Sequence, residues 1–136
     1  MFGGAFFEEF IHLPLAVRTA NITAAAFKSG RARGCLFTIY VKTAGTSTFQ
    51  FRVSATNPIE NQGWVPTVNV SMTTAGVYVV IVHPRADLQP PGEAADTTAP
   101  AVLQCCRIPV PAICRGSIIK GDASEWEFGI TARRLP

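Results

Sequence analysis

The chain carries little charge and few chemically active groups. Charged residues make up 15% of its 136 positions, against 48% apolar. That balance excludes a disordered chain, which is poor in apolar residues and rich in net charge. The formal net charge is only +3, and no basic run is longer than Arg133-Arg134. Arg31 and Arg33 stand one residue apart. A nucleic-acid binder shows a denser patch, so no direct nucleic-acid contact is expected. No apolar stretch reaches transmembrane length, so no membrane contact is expected either. The apolar N-terminus lacks a positive leading region and is split by Glu8-Glu9, so it does not read as a signal peptide. Synthesis and assembly in a cytoplasm are expected.

Metal-type cysteine spacing is missing as well. Cys35, Cys105, Cys106 and Cys114 form no paired motif. Without a sign of export they read as reduced, small apolar fillers. No glycine-rich phosphate loop and no nucleophile elbow occurs. The two histidines, His12 and His83, lie far apart, and nothing near Cys114 and His83 supports a thiol–imidazole pair. Glu125 and Glu127 share a strand face, where Arg52 or Arg115 are pairing candidates; this suits solvated charges better than glycoside chemistry. No enzyme, catalytic residue, cofactor or metal is therefore expected.

What the chain has is alternation. Cys35, Phe37, Ile39 and Val41 are apolar, and Leu36, Thr38, Tyr40 and Lys42 are mostly polar or amphipathic. After Ala44-Gly45-Thr46-Ser47 the pattern resumes with Phe49, Phe51, Val53 and Ala55. A period of two with aromatic and β-branched residues marks half-buried strands. Both apolar sets fall on odd numbers, which fits a hairpin from Cys35 to Thr56 closed by Gly45, Thr46 and Ser47. Something else must then cover its apolar face.

Further strands follow from the same period. Val68, Val70 and Met72 alternate in one segment, and Trp126, Phe128, Ile130 and Ala132 point inward in another. Val77 to Val82 is apolar throughout, as in a central strand or one covered by a partner. Leu15–Thr19, Ala101–Ile108 and Ile113–Ile119 read as weaker strands, and Ala20–Phe27 as strand or loop. Pro109 and Pro111 mark an edge or a crossing between sheets. The Pro-rich stretch 84–100 reads as a long functional or mobile loop.

Phe6, Phe7, Phe10 and Ile11 recur at helical spacing, which predicts a short helix over Phe2–Leu13, ended by Pro14. Such a helix is marginal alone and needs a surface. It docks either on its own domain or on a neighbour. The expected organisation is an arm over 1–14 and one all-β domain over 15–136, an antiparallel β-sandwich of jelly-roll type. Trp126 belongs to its core, and Trp64, in a loop, is a contact residue or a lid.

Several segments together carry a resemblance. They are Arg18-Thr19-Ala20, the Arg33-Gly34 turn, Asn57-Pro58 with Trp64-Val65-Pro66, and Thr73-Thr74-Ala75-Gly76 through Val82-His83-Pro84. The tail from Ile108-Pro109 through Gly121-Asp122 to Trp126-Glu127-Phe128-Gly129 continues it. Over residues 15 to 135 the chain resembles a family of small all-β proteins encoded among the head genes of tailed bacteriophages, taken as capsid decoration or cement proteins. The N-terminal phenylalanines and the 84–100 stretch depart from that pattern. The resemblance implies a virion structural protein on the capsid surface, with the major capsid protein and copies of itself, as a homotrimer at three-fold sites, for partners. It brings no catalytic residues. Such a protein needs apolar anchors and a complementary rim. Phe2, Phe6, Phe7 and Phe10 are the expected anchors. Arg31, Arg33, Arg133 and Arg134 are the expected partners of acidic groups, with Trp64 as a further contact. A neck or tail structural protein is the alternative, followed by a carbohydrate-binding module using Trp64 and the long loop.

Overall fold

A computed structural model describes residues 8–56, 64–84, 102–106 and 110–136, with backbone alone for 56, 64–67 and 102–106. Ten strands occur among the described residues, and no helix. They are β1 (Glu9–Arg18), β2 (Ile22–Thr23), β3 (Phe27–Lys28), β4 (Gly34–Thr43), β5 (Phe49–Thr56), β6 (Trp64–Met72), β7 (Gly76–Val82), β8 (Val102–Cys106), β9 (Ile113–Lys120) and β10 (Trp126–Leu135). One sheet has the order β1-β10-β4-β7-β8, and the other β2-β9-β5-β6 with β3 also on β9.

The pairings are nested along the chain. β1 pairs β10, β2 and β3 pair β9, β4 pairs β7, and β5 pairs β6, all antiparallel. A chain paired in this way is one long ribbon rolled into two layers, which is the jelly-roll arrangement. β8 is an addition, parallel to β7. Parallel neighbours need a crossover of a dozen or more residues, and the stretch 83–101 provides that length. This accounts for a long Pro-rich connection; residues 85–101 themselves lie outside the described residues.

The hairpin expected over Cys35–Thr56 does not form. β4 runs between β10 and β7 in the first sheet, and β5 runs between β9 and β6 in the second. The two strands face each other across the core, with the Phe37 and Phe51 rings 5.1 Å apart. Their shared odd-number pattern is real. It arises because each apolar face covers the other, and not because the strands are paired side by side. The hairpin is β5–β6 instead.

The inward positions behave as their alternation requires. Cys35, Phe37, Ile39, Val41, Phe49, Phe51, Val53, Val68, Val70 and Met72 are buried, and so are Trp126, Phe128, Ile130 and Ala132. Phe49 stacks on Trp126 at 4.3 Å and meets Phe128 edge-on at 4.9 Å. β7 buries only Tyr78, Val80 and Val82, while the alternate valines and Ile81 are half-buried.

The helix expected over Phe2–Leu13 is also overturned where it can be seen. From Glu9 the chain is strand, and the segment with Phe2, Phe6 and Phe7 lies outside the described residues. A short isolated helix gains little in water, whereas β1 gains a whole ladder along β10. Pro14 sits inside β1, with register shifts on either side of Leu13. The missing N–H is tolerated because β1 is an edge strand. A boundary at 14/15 would therefore cut through a strand. Trp64 likewise opens β6 and does not lie in a loop.

The β4–β5 and β9–β10 connections cross between sheets side by side. Thr46 N and Ser47 N both donate to Ser124 Oγ at 3.2 Å, and Trp126 Nε1 donates to Ser47 Oγ at 3.0 Å. Lys120, buried in the same corner, donates from Nζ to the carbonyls of Asp122 and Ser124.

Candidate docking surface

The groups with chemical potential are engaged in the fold. Cys35 and Cys114 are free, buried thiols, and burial pushes both up to about 12. A thiol held that far from ionisation is a poor nucleophile. His83 Nε2 lies 3.0 Å from Pro136 O. No group of three His, Cys, Asp or Glu able to hold a metal occurs among the described residues. Glu127 reaches Lys42 at 3.9 Å, while Arg52 and Arg115 stand on strands of the other sheet. No helix among them is long and apolar enough to cross a membrane.

His12 is the least expected member of the core. β1 turns its ring inward beside Phe10, Phe27 and Phe37, at 6.3, 5.3 and 6.0 Å. Its Nε2 accepts a hydrogen bond of 2.9 Å from Gly116 N, in the opposite sheet. An accepting Nε2 carries no proton, and burial lowers the pKa to about 4.

The four arginines singled out from the sequence do come together. Arg33 N donates to Leu135 O at 3.0 Å, and Arg134 Nε donates to Lys28 O at 2.9 Å. These bonds hold the 29–33 turn against the end of β10. Arg31, Arg33 and Arg133 are exposed there, next to exposed Lys28. Arg134 has a different task. Its guanidinium lies over the rings of Phe10 at 5.1 Å and Phe27 at 5.4 Å, closing the end of the core. Phe10 is half-buried beneath it and is an internal contact, not an exposed anchor. Phe2, Phe6 and Phe7, and the side chain of Trp64, lie outside the described residues.

A second feature was missed by the sequence reading. The outer face of the first sheet leaves Ile11 70%, Val17 56%, Leu15 47% and Tyr40 44% exposed. Of these, Ile11, Leu15 and Tyr40 line an apolar groove of about 270 Å³ together with Leu13, Pro14, Gly129 and two threonines. Pro14 makes it by breaking the ladder. Arg18 braces the break, donating to Phe128 O at 2.8 Å and to Pro14 O at 2.6 Å. Gly129 makes room below, since a Cβ there would come within 3.0 Å of the Leu15 backbone. The local signal for it in the sequence is the alternation Leu15-Ala16-Val17.

Groove and basic end are continuous. Arg133 pairs Glu9 on one side and Leu36 on the other, one row along from Ile11, Thr131 and Thr38. An apolar centre with a charged rim is the anatomy of a protein-docking surface. Comparison with protein-family models, curated proteins and solved structures finds no match for the chain.

Proposed function

We propose that this chain is a structural protein of a phage virion that decorates and stabilises the head, acting through protein–protein contacts with the major capsid protein and with copies of itself. The observation that supports this reading is the joined surface: an exposed apolar sheet face running into an end that carries Lys28, Arg31, Arg33 and Arg133. An exposed apolar patch rimmed by polar residues commonly marks an interaction site. The domain beneath it is a two-layer sandwich whose core is filled by large aromatic side chains, a rigid mount for such contacts. The basic end offers exposed guanidinium groups to acidic side chains on a shell, where charge complementarity steers docking and sets its register.

The test is co-sedimentation of the full-length protein with heads that lack it. Saturable binding is expected. The double variant Arg31→Glu, Arg33→Glu should bind at least about tenfold more weakly with an unchanged melting temperature. Absence of binding to heads, combined with binding to isolated necks or tails, would replace this reading by a neck or tail role.

A further inference from the structure

The outer face of the first sheet has an order of its own. Its rows follow from the strand register. Glu9, Arg133 and Leu36 stand side by side at one end, then Ile11, Thr131 and Thr38. Next come Gly129 and Tyr40, with the Leu15 backbone over the glycine. Val17 and Glu127 close the other end, beside Lys42. Between the second and third rows run Leu13, Ile130 and Ile39, paired with one another and pointing into the core.

This face is complementary to itself. On β10, Arg133 and Glu127 lie three residues either side of Ile130, on the same face and with opposite charge. A two-fold axis across the strands above Ile130 brings Arg133 of one copy over Glu127 of the other, and does so twice. The same axis sets Ile11 over Leu15 and Tyr40 over the smaller Thr38. The groove lies on the axis, so the two hollows face each other and their apolar rims, Ile11 and Leu15, meet across the two-fold. An isologous contact demands this kind of matching, because every group meets its counterpart through the two-fold. With one sign of charge at both ends of β10 the same arrangement would repel.

We infer that a second copy of this chain docks face to face on β1, β10 and β4 about that two-fold, giving a four-layer stack. This rests on the reading of the face as a protein-docking surface and names its occupant. It leaves the exposed Arg31 and Arg33 for other contacts. It also replaces three-fold by two-fold self-association. The three strands cover on the order of 400 Å² of flat area per copy, from strand spacing and rise. That is about half of what a stable interface buries per partner, so the contact is a weak, transient one and the dimer should dissociate on dilution.

The experiment is sedimentation equilibrium on the full-length protein without heads, from about 1 μM to about 500 μM, a range set by the small interface. A reversible monomer–dimer equilibrium is expected. Arg133→Glu and Glu127→Arg should each weaken it at least about tenfold, and the double exchange should restore it. Tyr40→Glu should abolish it, with melting curves confirming that each variant is folded. A wild-type monomer at every concentration would overturn the inference. A trimer, or a dimer indifferent to both reversals, would do so equally. Because no heads are present, failure here is separate from failure of the decoration reading, which the co-sedimentation assay measures.

Discussion

The ring of His12 crosses from the first sheet to the backbone of the second, and Gly116 makes that possible in two ways. Gly116 donates its N–H to Nε2 and also leaves the space, since a Cβ there would sit 2.8 Å from the Phe51 ring and 3.1 Å from His12 itself. Protonation would turn the accepting nitrogen into a donor facing a donor. Folding therefore keeps the ring neutral down to about pH 4, against an ordinary value near 6.5. The sign follows from linkage. Between those values the unfolded chain binds the proton and the native chain does not, so stability falls as pH drops from 6.5 to 4 and is complete above. After allowance for partial solvent access the loss is on the order of 2 kcal/mol. Denaturant titrations at pH 7 and pH 4.5 should show it. His12→Gln, whose amide oxygen still accepts from Gly116, should remove most of the difference between the two.

At the scale of the element, β1 is held as an edge strand by what its neighbours lack. Pro14 has no N–H to offer, and Gly129 has no side chain to obstruct. Arg18 ties the resulting break to Pro14 O and Phe128 O and lies over the Phe128 ring at 4.7 Å. Gly129→Val should lift the Leu15 backbone from β10 and cost roughly 1–3 kcal/mol, the usual range for overpacking, read from chemical denaturation. It should also close the groove, so the same variant should dimerise less. A second device is the seryl hydroxyl of Ser124, which accepts two backbone N–H groups of the facing connection. Ser124→Ala is expected to destabilise by about 1–2 kcal/mol, since those amides lose their acceptor. A melting temperature unchanged by that substitution would show that the two connections are not coupled.

For the whole molecule, nested pairing makes almost every contact non-local. β1 meets β10 from opposite ends of the chain, and β2 and β3 wait for β9. Loop-closure entropy must be met before these pairings return anything, so stopped-flow refolding should be slow, in the range of milliseconds to seconds. Deletion of residues 1–7 removes none of the ten strands. The shortened chain is expected to unfold in a single transition within about 5 °C of the full-length protein, as measured by differential scanning calorimetry.

Much of the fold could be read directly, and the errors share one cause. The inward faces of β4, β5, β6 and β10 were legible from Phe37, Phe51, Val70 and Trp126, because alternation is local and burial is what it records. Pro109 and Pro111 left an edge and a crossing both open, and the chain does change sheets between β8 and β9. The partner of each strand was not. Cys35–Thr56 looked like a hairpin because two apolar faces opposed across a core have the same parity as two faces paired in one layer. The basic end was half legible: Arg31, Arg33, Arg133 and Arg134 were marked as residues, but not the bonds that set Arg134 over Phe10. Which side chains of β4, β5, β6 and β10 point inward is written locally, in a period of two that needs no knowledge of neighbours. Long-range pairing sets which strands lie together, that β1 is strand and not helix, that His12 turns inward, and that Ile11, Leu15 and Tyr40 share one face. Those depend on hydrogen-bond partners far along the chain, more than a hundred residues away in the case of β1, and a local pattern carries no record of them.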